Sequence, residues 1–357
     1  MIFFVSCNSN FRFKVMKNAA VLRVLPLDFQ WPIRNPFLFC AHHNDAYPPG
    51  NGRLGPDASL RGRSLGHDFV VKDGWRMYHG KEVPGFPVHP HRGFETVTIV
   101  LEGWVDHCDS HGQAGRYGQG DVQWMTAGSG LQHSEMFPLL YTNQPNPLEL
   151  FQVWLNLPKS KKFAEPYYKM LWSEDIPVYR THDDHGKKIA VRINAGSMEG
   201  VEALKPAPDS WASDPKNEVG IWNVDLQSGA RWTMPVASPD VHRTLYFHKG
   251  SSIKIEGQRI DEGHAVEVLP EVALQIEAVG DDAKILVLQG RPIDEPVVQY
   301  GPFVMNSMEE IRQAFYDYEK TSFGGWPWDR DDSVFPSEVR RFARYKDGKE
   351  EHRLSPD

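Results

Sequence analysis

The stretch Phe94-Glu95-Thr96-Val97-Thr98-Ile99-Val100-Leu101, entered through His89-Pro90-His91 and left at Glu102-Gly103, decides how this chain reads. β-Branched and apolar residues dominate it and a glycine turn ends it, the signature of a strand. Trp104 to Asp106 starts a return strand, and the polar run Cys108-Asp109-Ser110-His111-Gly112-Gln113 reads as a loop. Gly118-Gln119-Gly120-Asp121 is a turn before Val122-Gln123-Trp124-Met125. Short strands with close turns predict a sandwich or barrel.

Both ends of this region carry potential metal ligands. Side chains two apart on a strand share a face, so His89 and His91 form one pair and His133 and Glu135, in His133-Ser134-Glu135, form another. Three imidazoles and a carboxylate suit Fe, Mn, Ni, Cu or Zn better than Mg or Ca, and ligand type alone does not choose among the first group. Such a set leaves a divalent ion with net positive charge, which favours an anionic oxygen ligand. Pro90 cannot donate a ladder hydrogen bond, so its strand is expected to be an edge, a bulge or a strand start. Glu95 shares the parity of His91 and stands as a rival carboxylate, with a buried supporting role as the alternative. Trp124, Met125 and Trp154 either wall an aromatic pocket or pack the core.

Composition sets the bounds. At 357 residues the chain has room for two domains and a large core, so metal is not needed merely to fold it. The net charge of -8 argues against broad nucleic-acid or anionic-membrane binding, and no apolar run is long enough to cross a bilayer as a helix. Cys7, Cys40 and Cys108 are too few for a disulfide framework, which points to a reducing, cytoplasmic setting. Cys108 lies between the ligand pairs, where a redox role and a passive thiol are both open readings, the passive one preferred. Met1 to Cys7 lacks the basic head and long apolar run of an export signal, so residues 1–20 are expected to be a disordered extension.

Along the chain, Val21 to Pro36 suggests short edge strands, and His42 to Asp73 is a long irregular stretch placed to cover a cavity mouth. His42, His43, His67 and His79 have no partner at i+2 and are expected to be exposed or satisfied. Leu148 to Leu157 alternates as a half-buried strand. The Pro/Ser/Asp/Lys-rich run from Glu202 to Asn217 is the best interdomain connection. Strands follow at 244–248, 252–256, 265–269, 274–278 and 285–288, but His242, His248 and His264 occur singly. This half reads as a structural copy without a site. Ser307 and Glu310 form a capping box for a helix to about Tyr318, and Lys346 to Asp357 is expected to be a frayed tail.

Taken together, His89-Pro90-His91-Arg92-Gly93-Phe94-Glu95-Thr96, Gly120-Asp121-Val122-Gln123-Trp124-Met125-Thr126-Ala127-Gly128 and His133-Ser134-Glu135 resemble the pirin family of the cupin superfamily. The likeness continues through Phe151-Gln152-Val153-Trp154-Leu155-Asn156-Leu157-Pro158 and Gly301-Pro302-Phe303-Val304-Met305-Asn306. It implies an all-β fold of two jelly-roll (cupin) β-barrels packed together, with a short C-terminal helix and tail. On that reading residues 21–201 form a metal-binding cupin, 202–300 a cupin without metal, and 301–357 the helix and tail. The resemblance also implies Fe(II) held by His89, His91, His133 and Glu135; Glu95 is not the family's ligand, and in the dioxygenase reading Glu135 is also the catalytic residue that accepts the substrate proton. Cys40-Ala41-His42-His43-Asn44 and the stretch after it depart from the family pattern.

Three functional readings follow. The first is a dioxygenase that opens a flavonol-type (quercetin-like) aromatic substrate with dioxygen. The second is an iron-dependent redox sensor that binds a protein partner, and the third is a bicupin with a vestigial site.

Overall fold

The strand-and-turn pattern around residues 94–101 closes into a two-sheet antiparallel sandwich. In the computed structural model, which describes residues 20–354, Phe94–Glu102 lies at the centre of a five-stranded sheet ordered Tyr167–Leu171, Val122–Thr126, Phe94–Glu102, Asn146–Asn156, Phe37–Tyr47. The facing sheet has six strands, ordered Glu350–Arg353, Arg341–Arg344, Ala114–Gly118, Trp104–Asp109, Leu131–Met136, Gly85–His91. The turns are fixed by backbone demands. Gly93 has φ +87°, and a Cβ there would collide with the Val304 carbonyl oxygen; Gly103 has φ +86° and faces the Pro147 carbonyl.

Two compact units divide the chain. One comprises residues up to Leu38, Ile176–Pro206 and Trp211–Asp294; the other comprises Phe39–Asp175, Ala207–Ser210 and the chain from Glu295 on. These units follow strand pairing and not the junction expected between residues 201 and 202. Val21–Pro26 pairs with His264–Val268, while Lys188–Ala195 pairs with Gly220–Leu226, so early and middle segments belong to the later barrel.

That later barrel has a seven-stranded sheet from Val21–Pro26 to Val178–His182 and a four-stranded sheet containing Arg231–Met234, Leu274–Val279, Ser252–Ile255 and Gln258–Asp261. Their inner faces meet in an aliphatic core that includes Val224, Leu245, Ile253, Val266, Ile276 and Val287. The strands expected between 244 and 288 are all present, with the additional Gln258–Asp261 strand where only a turn was anticipated.

Four expectations are corrected. The return strand starts at Trp104 as expected but runs to Asp109, so Cys108 and Asp109, expected in a loop, are strand residues. The Phe37–Tyr47 strand carries His42 and His43, and irregular chain begins only after it. Leu148 to Leu157 is more than half-buried: Phe151, on the outward parity, stacks on His42 at 4.6 Å. The C-terminal segment is no frayed tail, because Arg341–Arg344 and Glu350–Arg353 form a hairpin that extends the six-stranded sheet through Ala114–Gly118. Arg341 anchors it by charged hydrogen bonds to both carboxylate oxygens of buried Asp121. The helix spans Met308–Thr321, with the Ser307 side chain accepting from the Glu310 N–H. The extension expected at residues 1–20, apart from Ala20, lies outside the described residues, as do positions 355–357.

Candidate metal centre

The two ligand pairs lie on neighbouring strands. Gly85–His91 is the edge strand beside Leu131–Met136, with His89 opposite His133 and Phe86 opposite Glu135. Two residues lie between Phe86 and His89 and only one between their partners, so one residue bulges out. Pro90, in register with Gln132 just beyond the bulge, lies on an edge strand, one of the placements expected of it. One ring nitrogen from each of His89, His91 and His133 lies within 4.8 Å of the others, and the ring centroids are 4.4–5.0 Å apart.

Protonation prepares these rings for a cation. The Nδ1 of His89 is 2.9 Å from the Pro87 carbonyl oxygen and that of His91 is 3.3 Å from the Pro302 carbonyl oxygen. A carbonyl can only accept, so each Nδ1 carries the proton and each Nε2 keeps its lone pair. Burial pulls the His89 pKa down to about 4 and those of His91 and His133 well below the ordinary value, so all three are neutral at pH 7. His133 is fully buried, and neither of its ring nitrogens has a hydrogen-bond partner. An orphaned, buried acceptor amid two more lone pairs is costly without a cation, so the residues fit a metal ion.

Glu135 stands beside this triad. Its Oε2 is 3.9 Å from His133 Nε2, while Thr98 Oγ1 donates to Oε1 at 3.1 Å and Gln152 Nε2 donates to Oε2 at 2.9 Å. Thr98 and Gln152 belong to the facing sheet, so they fix the carboxylate from across the sandwich. Burial raises its pKa. The rival carboxylate goes elsewhere: Glu95 accepts from Thr126 Oγ1 at 2.7 Å and Trp124 Nε1 at 3.2 Å, and burial lifts its pKa to about 7. Neither carboxylate belongs to the three-histidine cluster itself, but Glu135 approaches His133 while Glu95 is held by Thr126 and Trp124.

One participant was missed. His107-Cys108-Asp109 is itself an i, i+2 pair, hidden because its polar neighbours read as a loop. His107 faces Glu135 and Asp109 faces His133 across the ladder. The His107 ring is 5.5 Å from that of His133 and stacks on Tyr168 at 5.1 Å, and both its nitrogens are buried without a hydrogen-bond partner. Asp109 is committed to the backbone N–H groups of His111 and Gln113 and to the Gln113 amide. Cys108, on the opposite parity, packs with Ala114 and Phe342, and burial pushes its thiol pKa up, which makes it a passive thiol.

The remaining candidates resolve individually. Trp124 and Met125 are buried core residues, whereas Trp154 lies 5.2 Å from His91, edge to face, and is half-buried. His42 Nε2 lies 3.1 Å from Glu149, His43 is buried, His79 Nδ1 binds the Gly66 carbonyl, and His67 is exposed. In the later barrel His242 and His264 bond to backbone carbonyls of Asn35 and Asp261. Among the described residues no helix is long and apolar enough to cross a membrane.

Comparison with known proteins identifies the family. The Pirin family model matches residues 56–155 and the pirin C-terminal cupin domain model matches residues 221–324. A Pseudomonas aeruginosa protein described as a candidate quercetin 2,3-dioxygenase is 38% identical over 240 residues, covering 67% of this chain and 79% of that protein. Pirin-1 of Arabidopsis thaliana is 33% identical over 255 residues, covering 67% and 78%. Among solved structures, a quercetin 2,3-dioxygenase from Acinetobacter baumannii aligns over 85% of this chain and 98% of its own, with 26% identity and a TM-score of 0.67. Two family models in tandem, relatives matched over most of their length and a shared fold make this chain a member of the pirin family, with two cupin jelly-roll barrels.

Proposed function

We propose that His89, His91, His133 and Glu135 hold one Fe(II) ion and that the chain opens flavonol-type substrates with dioxygen. The observation that carries this reading is the convergence of three neutral imidazole nitrogens beside a buried carboxylate. The chemistry the ion supplies when bound is Lewis-acid activation of a substrate hydroxyl and electron exchange with dioxygen. Glu135 receives the hydroxyl proton. Its carboxylate lies beside the histidine cluster, 3.9 Å from His133 Nε2, where a substrate hydroxyl bound there would present its proton. Gln152 and Thr98 hold it in place during that transfer, so it does not need to reorganise. The deep burial of His91, His133 and His107 excludes water on the far side. Ring opening incorporates dioxygen and releases carbon monoxide. Mn, Ni, Cu and Zn are the other ions this donor set accommodates.

A second reading, a redox-sensing protein that binds a protein partner, is favoured by one feature. Arg92 follows a ligand and pairs with Asp317 at 2.7 Å, and Gln132 precedes a ligand and accepts from Tyr318 at 2.8 Å. Both partners lie on the Met308–Thr321 helix, so a change of charge at the site has a mechanical route to a surface element. Iron stoichiometry and quercetin loss in stopped flow separate the readings. One ion per chain with turnover faster than once per second, both abolished in His133→Ala, supports the dioxygenase; one ion without turnover supports the sensor.

A further inference from the structure

The three histidines differ in exposure. His133 is fully buried and His91 nearly so, whereas His89 is half-buried, so a ligand approaches from the His89 side. On that side the rings form a track. Phe86 lies 6.4 Å from His89, His79 lies 5.7 Å from Phe86, and Phe69 lies 5.0 Å from His79. All three are half-buried, and exposed His67 continues the track 5.2 Å beyond Phe69.

Two features build this surface. In a regular strand Phe86 and His89 would face opposite sides; the bulge between them returns both to the face of Glu135 and His133. Phe69 and His79 come from the segment between the Phe37–Tyr47 and Gly85–His91 strands, which is cross-braced. Buried Arg63 donates to Asp68 and to the carbonyls of Trp75 and Lys72, and lies 3.3 Å above the Trp75 ring. Asp68 and Tyr78 exchange backbone hydrogen bonds at 2.7 and 3.0 Å. Behind the track, buried Tyr78 and Phe137 pack against Phe86 at 5.1 and 6.1 Å. The His79 Nδ1 donates to the Gly66 carbonyl at 2.7 Å, which leaves Nε2 as an acceptor. The surface therefore offers preformed ring faces and edges and one acceptor nitrogen.

We propose that Phe69, His79 and Phe86 determine specificity for a planar, hydroxylated aromatic substrate: Phe69 and Phe86 contact its ring and His79 Nε2 accepts a hydrogen bond from its hydroxyl. This rests on the reading of the metal centre given above.

The test is anaerobic binding, which requires no turnover. Full-length Fe(II)-loaded protein is titrated with quercetin and with unhydroxylated flavone, followed by quenching of tryptophan fluorescence. Phe69→Ala is expected to weaken both ligands about fivefold. His79→Phe is expected to weaken quercetin about tenfold and leave flavone unchanged. Iron stoichiometry stays at the wild-type value in both, and Val236→Ala, exposed in the other barrel, changes nothing. Phe69→Leu, which preserves bulk, guards against misfolding and should weaken both ligands about threefold. Wild-type binding in all the track variants, or no binding of either ligand to the wild type, overturns the proposal. Binding that follows the prediction while dioxygen produces no turnover would count against the dioxygenase reading alone.

Discussion

The two barrels share an architecture and differ in what their sheets turn inward. In the later barrel the facing positions are Val224, Leu245, Val266, Ile276 and Val287, an aliphatic core that gains stability from burial and close packing. In the metal-centre barrel the inward positions include His107, His133 and Glu135, whose burial is unfavourable unless something compensates. The fold supplies a frame in both cases, and side-chain content decides whether that frame holds together or also binds.

The strongest test of this contrast removes one inward residue from each barrel. His133→Ala should abolish iron binding and lower quercetin turnover by at least about a hundredfold, with little loss of apo-protein stability. Leu245→Ala should do the reverse, costing about 2–5 kcal/mol in denaturant unfolding while iron stoichiometry is unchanged. Elemental analysis and urea titration of the two variants measure both. Next, Glu135→Gln should cut turnover about a hundredfold while keeping most of the iron. Equal loss of metal and turnover would remove the base role and leave only a ligand.

Buried polar groups also make the first barrel sensitive to pH. Burial raises the Glu95 pKa to about 7, above its unfolded value, so the folded state binds the extra proton between pH 4.5 and 7. Its contribution is fully present below pH 4.5 and lost as pH rises through 7. Glu95→Gln should therefore stabilise the protein at pH 8 by up to about 3 kcal/mol and have little effect at pH 4, as read from unfolding midpoints. His89 has the opposite sign. Its folded pKa of about 4 lies below the unfolded 6.5, so the unfolded chain takes the proton first and stability falls as pH drops from 6.5 to 4. Apo His89→Gln should show a shallower decline across that window, with a smaller effect than at Glu95 because His89 is half-buried and solvent screens its charge.

Part of the candidate site was legible because strand alternation is local: the pairs His89/His91 and His133/Glu135 stand out by spacing, which left Glu95 as a rival, and Pro90 marks the edge strand. His107 was hidden by its neighbours, since Ser110 and Gly112 made a strand end resemble a loop. The Arg341–Arg344 and Glu350–Arg353 hairpin was hidden by charge, because its strand character comes from pairing with Ala114–Gly118 and from the Arg341–Asp121 contacts more than 200 positions away. Unit membership was hidden for the same reason. Nothing near Val21–Pro26 announces that its partner is His264–Val268. The tether on Glu135 required the second sheet, which brings Thr98 and Gln152 opposite it.

A dioxygenase centre built from the three-histidine cluster and Glu135 would release one carbon monoxide for each flavonol it opens, and that release is the quantity to measure. Anaerobic Fe(II)-loaded protein is mixed with quercetin and dioxygen, and headspace carbon monoxide is compared with quercetin consumed, using His133→Ala as control. The account predicts close to one carbon monoxide per quercetin from the wild type and none above background from the variant. Quercetin loss without carbon monoxide, or equal rates in wild type and variant, would contradict it.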